Sequence, residues 1–143
     1  MNEGSAGAPE RLRRAQALHS LSQIAAALIE ARRAIDLDPT YVEAWTYLGT
    51  TLVTRHLAFG EGLAALERAA TLAPDDASVN YSLGWCYEFV AYRLERQAAR
   101  PFRDPVELYA LAADRLRRCI DLEPEAGLEA DARDLLNSIL DRL

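Results

Sequence analysis

Three six-residue strings that end on proline constrain this chain more than any other feature: AIDLDP at 34–39, AATLAP at 69–74 and CIDLEP at 119–124, spaced 35 and 50 residues apart. A second marker repeats with the shorter spacing. WTYLGTTL at 45–52 aligns with NYSLGWCY at 80–87, which places Leu83 on Leu48 and Gly84 on Gly49. Self-similarity at such a period is the signature of stacked supersecondary units. Each unit reads as two helices, the first carrying the Leu-Gly pair and the second carrying small residues such as Ala65 and Ala69. The proline ends the second helix because it has no N–H and disfavours α geometry in the residue before it. A hairpin of about 34 residues cannot bury its apolar face alone, so neighbouring units must share a core.

Composition agrees with an all-α chain. Of 143 residues, 26 are Ala and 22 are Leu, against 7 Gly and 6 Pro. A third of the chain is thus two strong helix formers, which argues against an all-β fold. All 16 basic residues are Arg, a usage that suits a G+C-rich bacterial genome. The net charge of -6 offers no global basic field, so nucleic acid is not an expected partner. Cys86 and Cys119 lack the dense spacing of a disulfide framework and read as reduced, packed thiols. The N-terminal stretch has no apolar segment of signal-peptide type, and residues 1–8 read as a short disordered leader. No run approaches the length needed to span a bilayer, so the expected setting is soluble and cytoplasmic.

The periodicities predict helices over 9–20, 22–37, 41–56, 61–72, 76–99, 105–122 and 126–142. Residues 9–125 then form three repeat units with an insertion near 91–106, and 126–143 form a capping helix. In that tail Leu128, Ala132, Leu135, Leu136, Ile139, Leu140 and Leu143 recur at three and four, giving one dry face. Asp75 and Asp76 suit the N-terminus of the fifth helix, where acids favour the dipole.

These residues resemble the tetratricopeptide repeat (TPR) family, whose unit has an aromatic-x-x-Leu-Gly stretch, then Ala-x3-Phe-x2-Ala and a terminal Pro. Trp45, Leu48, Gly49, Ala69 and Pro74 match the middle unit; Leu83, Gly84, Tyr87, Tyr109, Ala112 and Pro124 match the third. Ala27, Ala34 and Pro39 match the second helix of a first unit whose opening helix keeps only Ala15 and Leu18. Two departures stand out. The middle unit has one extra residue near its turn and Gly62 where the family prefers Ala, and the third unit has 16 extra residues between its helices. The resemblance implies an all-α, right-handed superhelical stack of antiparallel helix hairpins, with about seven helices in total. It also implies that the first helix of each unit lines a concave groove.

Two surfaces emerge as candidate sites. Tyr81, Trp85, Phe89 and Tyr92 form an aromatic stripe along one side of the fifth helix, while Leu83, Cys86, Tyr87 and Val90 carry the core positions. If the resemblance holds, the stripe faces the groove beside Thr46, Thr50 and Val53 of the third helix. The alternative is that the capping helix or the insertion covers it. In the insertion Arg93, Arg96, Arg100 and Arg103 make a local positive ridge, three of them sharing a helix face at i, i+3 and i+7. Such a ridge is either a solvated helix end or a dock for an acidic segment, since Arg recognises carboxylates in a bidentate way. The carboxylate grip through Lys and Asn of heat-shock co-chaperones in this family is not implied, because the chain has no Lys.

His19 and His56 lie far apart with no second ligand at metal spacing, and no phosphate loop, HExxH or GxSxG is present. Neither catalysis, a cofactor nor a metal is expected. The residues favour a protein-protein interaction module or scaffold that takes a partner polypeptide segment in its groove. An assembly or secretion chaperone that shields a client segment, and a permanent accessory subunit of a larger complex, use the same surface. Homo-oligomerisation stays open.

Overall fold

The computed structural model describes residues 7–97 and 100–143; most of the expected leader, 1–6, and two residues of the insertion lie outside this set. Seven helices follow in order: α1 (Ala8–Ser20), α2 (Ile24–Leu37), α3 (Val42–Arg55), α4 (Phe59–Leu72), α5 (Ala77–Glu95), α6 (Pro105–Asp121) and α7 (Ala126–Leu140). No strand occurs among the described residues. The chain divides into two compact units, 1–72 and 73–143, so α1 to α4 form the first and α5 to α7 the second.

In the first unit α1 and α2 meet through Leu12, Ala15, Ala27 and Ala31, all buried, with Tyr41 and Tyr47 of the next hairpin packed against them. Three alanines at the contact let the backbones approach closely. Ala8, placed in the leader by its sequence, is instead the first residue of α1 and buried against Ala34 of α2 and Ala44 of α3. The α1–α2 turn puts Ser22 at φ 63°, and the Gln23 N–H reaches back to Leu18 O at 2.9 Å. This is a left-handed helix stop with the usual long-range backbone bond.

The α3–α4 turn differs by the one extra residue. Leu57 occupies the left-handed position at φ 53°, and the Ala58 N–H reaches Leu52 O at 2.9 Å, one residue further than in the first turn. α4 then begins at Phe59, two residues earlier than its periodicity suggests. The helices cross with glycine on both sides. A Cβ on Gly62 would lie 2.5 Å from Val53 Cγ2 and 2.9 Å from Gly49 O, so the alanine common at this family position does not fit. Leu28, Leu48, Leu52 and Ala65 fill the core where α2, α3 and α4 meet, and Trp45 leans on it while its indole N–H donates to Pro39 O at 2.8 Å.

In the second unit the aspartates act as expected. Asp76 caps α5 by accepting from the Val79 N–H at 3.1 Å, and Asp75 pairs with Arg118 of α6. Asn80, fully buried, donates to Pro74 O at 3.0 Å and Asp76 O at 2.9 Å and accepts from Arg115 at 3.2 Å, which ties the start of α5 to the end of α6. Gly84 faces Leu116 and Ala112 across the hairpin. Leu83, Cys86, Tyr87 and Val90 are buried, as their register requires. α6 starts at Pro105 behind an Asp104 cap, and α7 behind Glu125, whose carboxylate accepts from Gly127 and Leu128.

α7 packs chiefly on α6 and touches α5. Its dry face is narrower than the seven-residue pattern suggests. Ala132 and Ile139 are buried and Leu128, Leu135 and Leu136 half-buried, whereas Leu140 and Leu143 are exposed. Leu140 is rotated about 80° from the Ala132–Ile139 line at 100° per residue, and Leu143 lies past the helix end.

Candidate functional site

At about 100° per residue, the nine buried residues of α5 occupy one arc of the helix, and Tyr81, Trp85, Glu88, Phe89, Tyr92, Arg93, Glu95 and Arg96 fill the remaining arc of about 160°. The expected aromatic stripe therefore lies on the side away from the α5–α6 core. Tyr81, Trp85 and Phe89 are half-buried and Tyr92 is 39% exposed. Trp85 stacks on Phe89 with ring centroids 5.4 Å apart and 19° between planes. Arg93 continues the stack, its guanidinium 5.2 Å from the Phe89 centroid, and Arg96 lies 3.4 Å from the Tyr92 centroid. The i, i+4 spacing makes these ladders. Each ring supports the next, and each guanidinium lies on a ring face, the geometry that cation–π attraction favours.

Neighbouring helices add residues that sequence reasoning missed. Arg142, just past the end of α7, bonds Glu95 at 2.8 Å and the Tyr109 hydroxyl at 3.1 Å, and lies 5.7 Å from the Tyr92 centroid. Tyr109 is fully buried, and burial first, then the Glu95 charge, pushes its phenol up to about 12. Burial also raises Glu88, against the opposing pull of Arg142. At the other end of the strip burial raises Tyr81, with Asp131 of α7 adding to the effect. Nothing in the tail DRL signals the Arg142 contact, because it depends on how α7 lies against α5. The periodic pattern shows only that α7 succeeds α6.

The arginine ridge is not one helix face. α5 stops at Glu95, Arg96 caps it, and Arg100 lies in the connection beyond. The helix ends about four residues earlier than expected, so the i, i+7 relation between Arg93 and Arg100 does not form. Arg103 turns the other way, 5.9 Å from the buried Tyr87 ring and 3.8 Å from Glu107 of α6. Phe102 of the same connection is 54% exposed beside Arg100 and Arg103, around a cavity of about 350 Å³.

The three residues expected on α3 lie in the first unit. Thr46 and Thr50 are half-buried, and their hydroxyls donate within the helix, to Val42 O at 3.0 Å and Thr46 O at 2.9 Å. They leave acceptor lone pairs and methyls for any visitor. Val53 contradicts its expected groove position. It is fully buried, with Cγ2 against Gly62, because the glycine crossing draws α4 over that side of α3.

The remaining chemistry-bearing groups are packed or, for His56, at a helix end. His19 Nδ1 bonds the Tyr47 hydroxyl at 2.8 Å, and exposed His56 caps α3. Cys86 and Cys119 are buried thiols, and burial pushes Cys86 up to about 12, far from thiolate at neutral pH. Among the described residues no group of three or more His, Cys, Asp or Glu could hold a metal ion. No described helix is long and apolar enough to cross a membrane.

Solved structures share this architecture. YrrB, described as a TPR protein with an unusual peptide-binding site, superposes with a TM-score of 0.66 at 23% identity over 92% of this chain and 59% of that one. The N-terminal domain of stress-induced protein-1 from C. elegans gives 0.58 at 14% identity, over 90% and 93% of the two chains. The C-terminal part of a TPR repeat-containing protein from Cytophaga hutchinsonii gives 0.57 at 15% identity, over 99% and 56%. This chain thus spans a little over half of the first and third of these. No family model and no curated protein matches the sequence. The fold is the all-α TPR-like repeat fold that the Leu-Gly and proline registers imply.

Proposed function

We propose that this chain is a non-enzymatic protein-protein interaction module that binds a partner polypeptide segment along the outer face of α5. The reading rests on one observation: Trp85, Phe89 and Arg93 stack in sequence on the side of α5 that the α5–α6 core does not use. Large aromatic rings held by their neighbours bind with little loss of side-chain entropy, and such residues dominate many interfaces. Tyr81 and Tyr92 extend the surface, and Thr46 and Thr50 are candidate contacts on the first unit, to be tested separately. Arg93 and Arg96 are proposed to attract acidic residues of the partner, in a cytoplasmic setting.

The deciding experiment compares wild-type protein with Trp85→Ala in capture from the cell of origin, with melting temperature as a control. Loss of a captured protein from a variant that stays folded, its melting temperature lowered by only a few degrees, supports the reading, and equal capture refutes it. The lifetime of the complex then separates three roles. A stoichiometric resident partner identifies a structural subunit, many substoichiometric clients an assembly or secretion chaperone, and a single exchanging partner an adaptor.

A further inference from the structure

The strip on α5 is unlike at its two ends. Three guanidiniums gather at its C-terminal end: Arg93 over Phe89, and Arg96 and Arg142 on Tyr92. Two carboxylates stand among them: Glu95, 2.8 Å from Arg142 and 3.6 Å from Arg96, and Glu88, which feels the Arg142 charge, so the three guanidiniums leave the end net positive. Arg93 makes no ion pair among the described residues; its contact is the Phe89 ring. A guanidinium carries five N–H donors whose fork matches a carboxylate. Arg96 gives one of them to Tyr92 O at 3.1 Å and Arg142 gives one to Glu95 and Tyr109, which leaves further donors on both. At the opposite end the charge reverses, where Asp131 lies close enough to Tyr81 to act on its phenol. Between the ends lie the Trp85 and Phe89 rings.

We propose that this strip takes an extended, acid-tailed apolar segment in one orientation, with its aliphatic or aromatic anchors on Trp85 and Phe89 and its carboxylates on Arg93, Arg96 and Arg142. The proposal rests on the binding reading above and adds polarity and spacing to it. Trp85 and Arg93 are eight residues apart on α5, about 12 Å at 1.5 Å per residue. An extended segment covers that distance in about four residues at roughly 3.3 Å each. The whole strip from Tyr81 to Arg93, about 18 Å, spans five to six. The anchor on Trp85 therefore stands about four positions from the carboxylate on Arg93. Arg142 makes α7 part of the site, so the segment meets two helices at its acidic end.

The test is phage selection of a random dodecapeptide library on the full chain, followed by fluorescence anisotropy with the best peptide as a labelled probe. The expected peptides carry Asp or Glu three to five positions from Leu, Ile, Phe or Trp. Arg93→Glu with Arg96→Glu, both exposed positions, should weaken that probe more than tenfold and remove its salt dependence. Reselection on the double variant should bring Lys or Arg to the acidic positions. Arg142→Gln should weaken binding several-fold. Peptides without acids at that spacing, or undiminished affinity of the double variant, overturn the polarity while leaving a binding strip intact. Peptides that bind Trp85→Ala as well as wild type, or a library that enriches nothing above bare support, overturn the binding reading and the polarity together.

Discussion

Gly49 and Gly62 face each other where α3 crosses α4, each so close that a Cβ on one would lie under 3 Å from the carbonyl oxygen of the other. The contact accounts for glycine at both positions of the crossing. One extra turn residue changes how α4 returns, and the helices then meet backbone to backbone. Gly62→Ala should gain up to about 1 kcal/mol of helix propensity and lose more to overpacking, which typically costs 1–3 kcal/mol. We expect a net destabilisation of about 1–2 kcal/mol by denaturant unfolding. Gly60 has open space around its Cβ position. Gly60→Ala should therefore be neutral or stabilising, and an equal loss at both positions would refute the crossing as the cause.

Leu57 holds a left-handed conformation with its side chain 48% exposed. A branched side chain there costs roughly 1–2 kcal/mol in backbone sterics, more than its partial burial returns. Leu57→Gly should raise stability by about 0.5–1 kcal/mol even though glycine loosens the unfolded chain. A lowered melting temperature would show that Leu57 contributes packing that outweighs the strain.

Stability should fall in alkali. The Cys86 thiol and the Tyr109 phenol are raised from 9.0 and 10.0 in the unfolded chain to about 12 in the folded one. Both groups are neutral in both states below pH 9, so their environments cost nothing there. As pH rises from 9 towards 12 the unfolded state loses these protons first and is favoured. For Cys86 the gap amounts to roughly 4 kcal/mol at its limit. Melting temperature should be flat between pH 7 and 8.5 and fall steeply above 9. Burial raises the Cys119 thiol too, so Cys86→Ala should make the fall above pH 9 shallower without moving its onset; an unchanged slope would mean that Cys86 is not among the groups responsible.

Trp85 is half-buried and stacked on one ring, unlike the enclosed aromatics whose loss costs 3–5 kcal/mol. Trp85→Ala should cost about 1–2 kcal/mol of folding stability, from the lost aromatic pair and the partly buried ring area. Partner affinity should fall more than tenfold, the usual scale for a central interface aromatic. Chemical denaturation and a binding isotherm on the same variant decide the matter. A loss of 3 kcal/mol or more in stability with intact binding would place Trp85 in the core and end the proposal for the strip.

What the sequence determined is what depends on neighbours along the chain. Helix periodicity, the proline stops, the Asp76 cap and the Leu-Gly register are local or repeat at a fixed period, so all seven helices stand within a few residues of their expected places. The buried face of α5 follows from the same periodicity. Tertiary structure decided the rest. Val53 sits in the core because two glycines set the α3–α4 crossing, a distance that no pattern of apolar residues encodes. The arginine ridge divides because α5 ends at Glu95, where a non-repeating connection begins and periodicity has nothing to say. Arg142 reaches Glu95 and Tyr109 across 47 and 33 residues of chain. Contacts of that kind depend on how one helix lies against another, and packing of the folded units sets that geometry.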